Sequence, residues 1–133
     1  MALLVPYVGE VEMLNRILNH STPDDVVIHL YTNNATPAPG DTVGSYTQST
    51  GTGYAAITLT GANWTIATNA GTTSATYAQV TFTYTGPEPT VYGYYVTNNA
   101  GTVVMWAERF SDGPYAIPSG GGSVKITPKI QLQ

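Results

Sequence analysis

Cysteine is absent from the 133 residues, so neither a disulfide framework nor a thiolate metal site is available to this chain. Charge is scarce as well. Asp, Glu, Lys and Arg make up 9% of the sequence, against about a quarter in ordinary globular domains. The formal net charge is −4, and the four basic residues, Arg16, Arg109, Lys125 and Lys129, are too few and too scattered to neutralise a track of phosphates. No nucleic-acid partner is therefore expected. The apolar stretch at residues 1–8 is short, carries no basic run and meets Pro6, then Glu10 and Glu12, so neither a signal peptide nor a membrane span is expected. Catalytic signatures are missing too. No Gly-x-Ser-x-Gly elbow and no Gly-Lys-Ser/Thr phosphate loop occurs, and Gly51-Thr52-Gly53 reads as a plain loop.

What is present is alternation. Tyr77, Gln79, Thr81, Thr83 and Thr85 fall on one side of an extended chain, with Ala78, Val80, Phe82 and Tyr84 on the other. Val124, Ile126, Ile130 and Leu132 alternate in the same way with Lys125, Thr127, Lys129 and Gln131. One packed face and one polar, mostly uncharged face are the expected rule. Hydrophobic residues are 42% of the chain, which separates this low-charge composition from disorder. The length fits one domain, residues 1–133, able to bury roughly two-thirds of its unfolded surface.

Val11, Leu14 and Leu18, with Met13 and Ile17, recur at helical spacing and predict one short helix over residues 9–19, with Glu12 and Arg16 paired on its wet side. Ser21-Thr22-Pro23-Asp24-Asp25 ends it. Strands are expected from Val26 to Tyr31, over residues 54–60 with Ala55, Ile57 and Leu59 inward, around Trp64 and Ile66, over residues 76–85, and over residues 123–132 with Pro128 at an edge or bulge. A further short strand is expected near Tyr46. Gly86-Pro87-Glu88-Pro89 breaks the chain, and residues 91–97 and 102–110 form a hairpin closed by Asn98-Asn99-Ala100-Gly101. The total is about seven or eight strands, an antiparallel β-sandwich or jelly roll.

Few side chains invite chemistry. His20 and His29 flank Asp24 and Asp25, but a metal or acid-base site there needs three or four groups aimed at one point. Glu88 and Glu108 are the mid-sheet carboxylates; Glu108 shares a face with Trp106 and Phe110 and reads as a partly buried structural acid. No enzyme activity, cofactor or metal is expected. Tyr92, Tyr94 and Tyr95, with Trp64 and Trp106, leave open a carbohydrate-binding module, although packing in the core is the ordinary fate of strand aromatics. The uncharged, apolar first eight residues leave two readings: a terminal strand packed in its own domain, or an arm docking on a neighbouring subunit through Leu3, Leu4, Val5 and Tyr7.

Several segments carry a resemblance. Val5-Pro6-Tyr7-Val8-Gly9-Glu10-Val11 with its helix, Leu30-Tyr31-Thr32-Asn33-Asn34, Tyr54-Ala55-Ala56, Leu59-Thr60-Gly61-Ala62-Asn63-Trp64, Phe82-Thr83-Tyr84-Thr85-Gly86, Val91-Tyr92-Gly93-Tyr94 and Trp106-Ala107-Glu108-Arg109-Phe110 look like the small β-rich structural proteins of tailed bacteriophages. In segment order the chain most resembles capsid decoration, or cement, proteins. The resemblance implies a virion location on the capsid surface, with the major capsid protein as partner, homotrimeric association, and a clamp across adjacent capsid subunits, anchored in some relatives by a terminal arm. A tail, fibre or host-recognition component is the alternative within virion proteins.

Overall fold

The computed structural model describes residues 3–19 and 24–132; Met1, Ala2, His20, the Ser21-Thr22-Pro23 stop signal and Gln133 lie outside the described residues, as do the side chains of Leu14, Asn15, Ile17, Leu18, Asn19 and Leu132. Among the described residues the chain is mostly β, with one helix and eleven strands paired antiparallel throughout. Helix α1 spans Tyr7–Asn19. The strands are β1 (Val26–Tyr31), β2 (Ile57–Leu59), β3 (Thr65–Asn69), β4 (Thr72–Thr76), β5 (Val80–Tyr84), β6 (Glu88–Val91), β7 (Gly93–Asn98), β8 (Val104–Arg109), β9 (Tyr115–Ile117), β10 (Gly122–Ile126) and β11 (Lys129–Leu132).

The central sheet runs β2-β1-β7-β8, and Leu4 extends it by exchanging two backbone hydrogen bonds with Ala107, at 3.0 and 2.9 Å. One face presents Val26, Ile28, Leu30, Tyr94, Val96 and Trp106 to Phe82 and Tyr84 of β5 and to Val124 and Ile126 of β10, which together form the main core. The opposite face was expected to be polar and is not. Tyr31, Tyr95 and Ala107 are buried there under Tyr46, which arrives from the β1–β2 connection. His29 stacks on Tyr95 at 4.7 Å between ring centroids, Tyr95 stacks on Tyr46 at 4.9 Å, and Tyr46 tilts against Tyr31 at 5.0 Å. A covering loop therefore converts the second face into a small aromatic core, and all six residues of β7 are buried.

The β7–β8 hairpin forms as expected. Gly101 takes φ +71°, and Asn98 Oδ1 accepts from the backbone N–H of Thr102 at 2.8 Å and of Val103 at 3.2 Å. A bulge follows, since Val96 pairs with Trp106 but Thr97 with Val104, leaving Met105 over.

The two long strands expected at the second half of the chain are each broken in two. Residues 76–85 divide into the end of β4 and β5, and residues 123–132 into β10 and β11, because the ribbon they form turns a corner. Pro128 has no N–H for a ladder; it is fully buried at the corner, and its carbonyl accepts from Tyr77 N–H at 2.9 Å. The register slips by one residue across this corner. β5 and β10 stay on the core, whereas β4 and β11 join β3 in a separate three-stranded sheet. Three strands exceed the expectation: β4, whose Thr-Thr-Ser-Ala-Thr shows no apolar alternation, β6, set among prolines, and β9 opposite it. The expected strand near Tyr46 is a single 3-10 turn, Val43–Ser45, followed by a bridge between Tyr31 and Gln48. Residues 54–60 shorten to β2, with Ala55 exposed, while the Tyr54 hydroxyl accepts from Leu30 N–H at 2.9 Å.

Candidate partner-binding surface

α1 begins at Tyr7, just after Pro6, whose carbonyl accepts from Gly9 and Glu10 N–H. Gly9 sets the helix against β8: a Cβ there would lie 2.5 Å from the carbonyl oxygens of both Val104 and Met105, so no other residue permits this approach. The consequence is a rotation that the apolar spacing did not reveal. Met13 packs toward the core, whereas Val11, expected inward, is 60% exposed. Tyr7 is 64% and Val8 42% exposed beside it, and with Val103 they line a shallow depression of about 310 Å³. Arg16 reaches back to Glu12 at 3.0 Å, as the spacing predicted, and also pairs with Asp24.

On the other side of the helix an open groove of about 820 Å³ runs between α1 and the β3-β4-β11 sheet. Val5, Met13 and Met105 line one side, Ile66 and Ile130 the other, and Trp64 and Trp106 stand edge to face within it at 6.0 Å. Glu10 and Arg16 are its charged residues. The groove and the depression flank one short helix, and both are lined mainly by apolar side chains with sparse charge, a composition suited to adhesion to another protein.

Of the four residues singled out in the N-terminal segment, Leu3, Leu4 and Val5 are half-buried against their own domain, and Tyr7 stands in solvent. Val8, which ends the apolar first eight residues, Val11 and Ile66 complete the surface; Val11 and Ile66 had no distinguishing signal, because an apolar residue in a helix or strand pattern is ordinarily assigned to the core.

The titratable groups go elsewhere. His20 lies outside the described residues. His29 Nε2 lies 3.1 Å from Thr97 Oγ1, and burial pushes its pKa down to about 4, with a hydrogen bond to the Gln48 side chain opposing the shift. Asp24 pairs with Arg16, and Asp25 accepts from Gly61 N–H at 2.9 Å. Among the described residues no group of three His, Asp or Glu converges on a metal-sized site. Glu88 is buried and accepts from Ser49 Oγ at 2.6 Å and Gly51 N–H at 2.9 Å; Ser49 in turn meets the Tyr84 hydroxyl at 2.9 Å. Glu108 is half-buried on the Trp106 face and accepts from the Tyr94 hydroxyl at 2.8 Å. Burial first, and that carboxylate second, hold the Tyr94 phenol well above its usual range. Tyr94, Tyr95 and Trp106 are core residues, and Tyr92 lies under the Arg109 guanidinium at 4.8 Å.

No family model, curated protein or solved structure matches this chain. Its function is therefore argued from the surface.

Proposed function

We propose that this chain is a structural virion protein that binds the outer surface of a phage capsid and clamps adjacent major capsid protein subunits. The observation that carries the reading is the exposed apolar surface on the two sides of α1, with Tyr7, Val8 and Val11 in solvent around the shallow depression and Ile66 in solvent at the open groove. A clamp works by burying surface across several subunits, and any protein that binds only the assembled shell stabilises it by mass action. Sparse charge lowers the desolvation cost of that burial. Seating on a repeated lattice then multiplies modest contacts, which is how the homotrimer implied by the resemblance would add strength. In this reading Leu3, Leu4 and Val5 fix the start of the helix, and Tyr7 is the aromatic anchor presented to the shell.

Mixing the purified protein with shells that lack it, and imaging the product, tests the reading. Regular density on the outer surface is the expected result. Density confined to the tail, or binding to a glycan array with no binding to shells, would replace it with the fibre or carbohydrate-binding alternative.

A further inference from the structure

Strand β3 is the outer member of the β11-β4-β3 sheet, and all five of its residues are exposed, with Ile66 at 72%. Its hairpin with β4 closes through Ala70-Gly71, whose φ angles of +50° and +82° match the turn that makes Asn69 and Thr72 a hydrogen-bonded pair. Bonded and non-bonded pairs alternate along an antiparallel ladder. Thr65, Ala67 and Asn69 therefore direct their backbone groups to β4, and Ile66 and Thr68 direct theirs to the open edge.

Proteins ordinarily blunt such an edge with charge, proline, a bulge, shortness or a cover. Most other edges carry those devices: Leu4 pairs outside β8, β2 and β9 are three residues long, β6 contains Pro89, β10 contains Lys125, and β11 begins with Lys129 after Pro128; β5 is uncharged too, but Phe82 and Tyr84 hold it on the core. β3 has neither charge nor proline, and its register with β4 is regular. The charge map points the same way. No residue between Asp41 and Glu88 is charged, although the whole chain carries −4. Two copies that meet through this hairpin avoid the like-charge repulsion they meet elsewhere.

We infer that β3 pairs with β3 of a second copy, antiparallel about a twofold axis through Ala67. In that register Ile66 faces the partner's Thr68, and Thr68 faces the partner's Ile66. Both are outward-directed residues, so each pair exchanges two backbone hydrogen bonds. Two three-stranded sheets become one of six strands, and the row Ile66–Ala75–Ile130 continues across the axis, packing an isoleucine that otherwise stands in water. An edge of five residues buries far less than the roughly 1,200 Å² of a stable interface, so the pairing is weak and matters where copies are concentrated. The inference shares Ile66 with the clamp surface but needs no shell, so it is tested on the protein alone.

The chain lacks cysteine, which makes the test direct. Residues opposed at the non-bonded position lie about 4.5 Å apart between Cα atoms, within disulfide range. Ala67→Cys should cross-link to a covalent dimer under mild oxidation at least about tenfold faster than Ser119→Cys in an exposed loop, because association raises the local thiol concentration. Adding Thr68→Pro, which removes an outward N–H and leaves the β4 ladder intact, should abolish the advantage with the circular dichroism spectrum unchanged. Ile66→Lys should do the same by adding like charge, a second route should the proline variant misfold. Equal cross-linking of Ala67→Cys and Ser119→Cys, or an advantage that survives both second substitutions, would overturn the pairing.

Discussion

Acid should weaken this protein through one imidazole. His29 is held between Thr97 and the Tyr95 ring, its pKa lowered from 6.5 to about 4 by burial. The aromatic rings packed there lead to Asp41, which accepts from the Tyr46 hydroxyl at 2.7 Å; Tyr95 and Tyr46 stand between that carboxylate and the imidazole. Between the two pKa values the unfolded chain binds a proton that the folded chain refuses. Stability must therefore fall as pH drops through 6.5 and level off below about 4. The full shift corresponds to about 3 kcal/mol, and partial solvent access to the ring reduces the expected loss to about 2 kcal/mol. The assay is urea denaturation from pH 7.5 to 3.5 on the parent and on His29→Gln, which keeps a polar group near Thr97 without titrating. His20 and the carboxylates are common to both proteins, so the difference between the curves isolates His29. A parent-minus-variant stability difference that stays flat across this window, or shrinks as pH rises, would refute the burial argument.

Gly93→Ala should destabilise by at least the upper part of the range of about 1–3 kcal/mol for overpacking, because the new Cβ would lie 2.2 Å from the Glu108 carbonyl oxygen and 2.6 Å from the Tyr31 hydroxyl; denaturant midpoints measure this. Ser49→Ala removes the hydroxyl that donates to buried Glu88 and should cost about 1–3 kcal/mol. Tyr7→Ala should leave the melting temperature within about 2 °C, as an exposed residue outside the core does, yet reduce occupancy on shells in a co-sedimentation assay.

The parts of this fold legible from sequence are those set by local chemistry. Asn98 and Gly101 marked the β7–β8 hairpin because a side-chain acceptor and a positive φ are local requirements. The alternation at Val26, Ile28 and Leu30 located β1, and the four-residue spacing of Glu12 and Arg16 located their ion pair, although both are part-buried and the exposed side of the helix carries Tyr7, Val8 and Val11. What was hidden depends on distant chain. Tyr46 buries the second face of the central sheet from a loop, which no period in β7 or β8 could announce. Pro128 signalled an irregularity, but the sheet exchange there also needs Tyr77, some fifty residues away in sequence, to meet its carbonyl. The rotation of α1 follows from Gly9 against β8, so Val11 and Met13 looked equivalent until the sheet was present. For the same reason the N-terminal residues drew attention as a group, although Leu4 is occupied by Ala107 and Tyr7 is free to bind.

The most direct test of the clamp is the heat stability of the shell itself, followed by scanning calorimetry as the protein is titrated onto particles that lack it. The shell transition should rise with occupancy and saturate when the lattice is full, and Tyr7→Ala should need a higher concentration to reach the same rise. A shell transition that does not move at full occupancy would contradict the account.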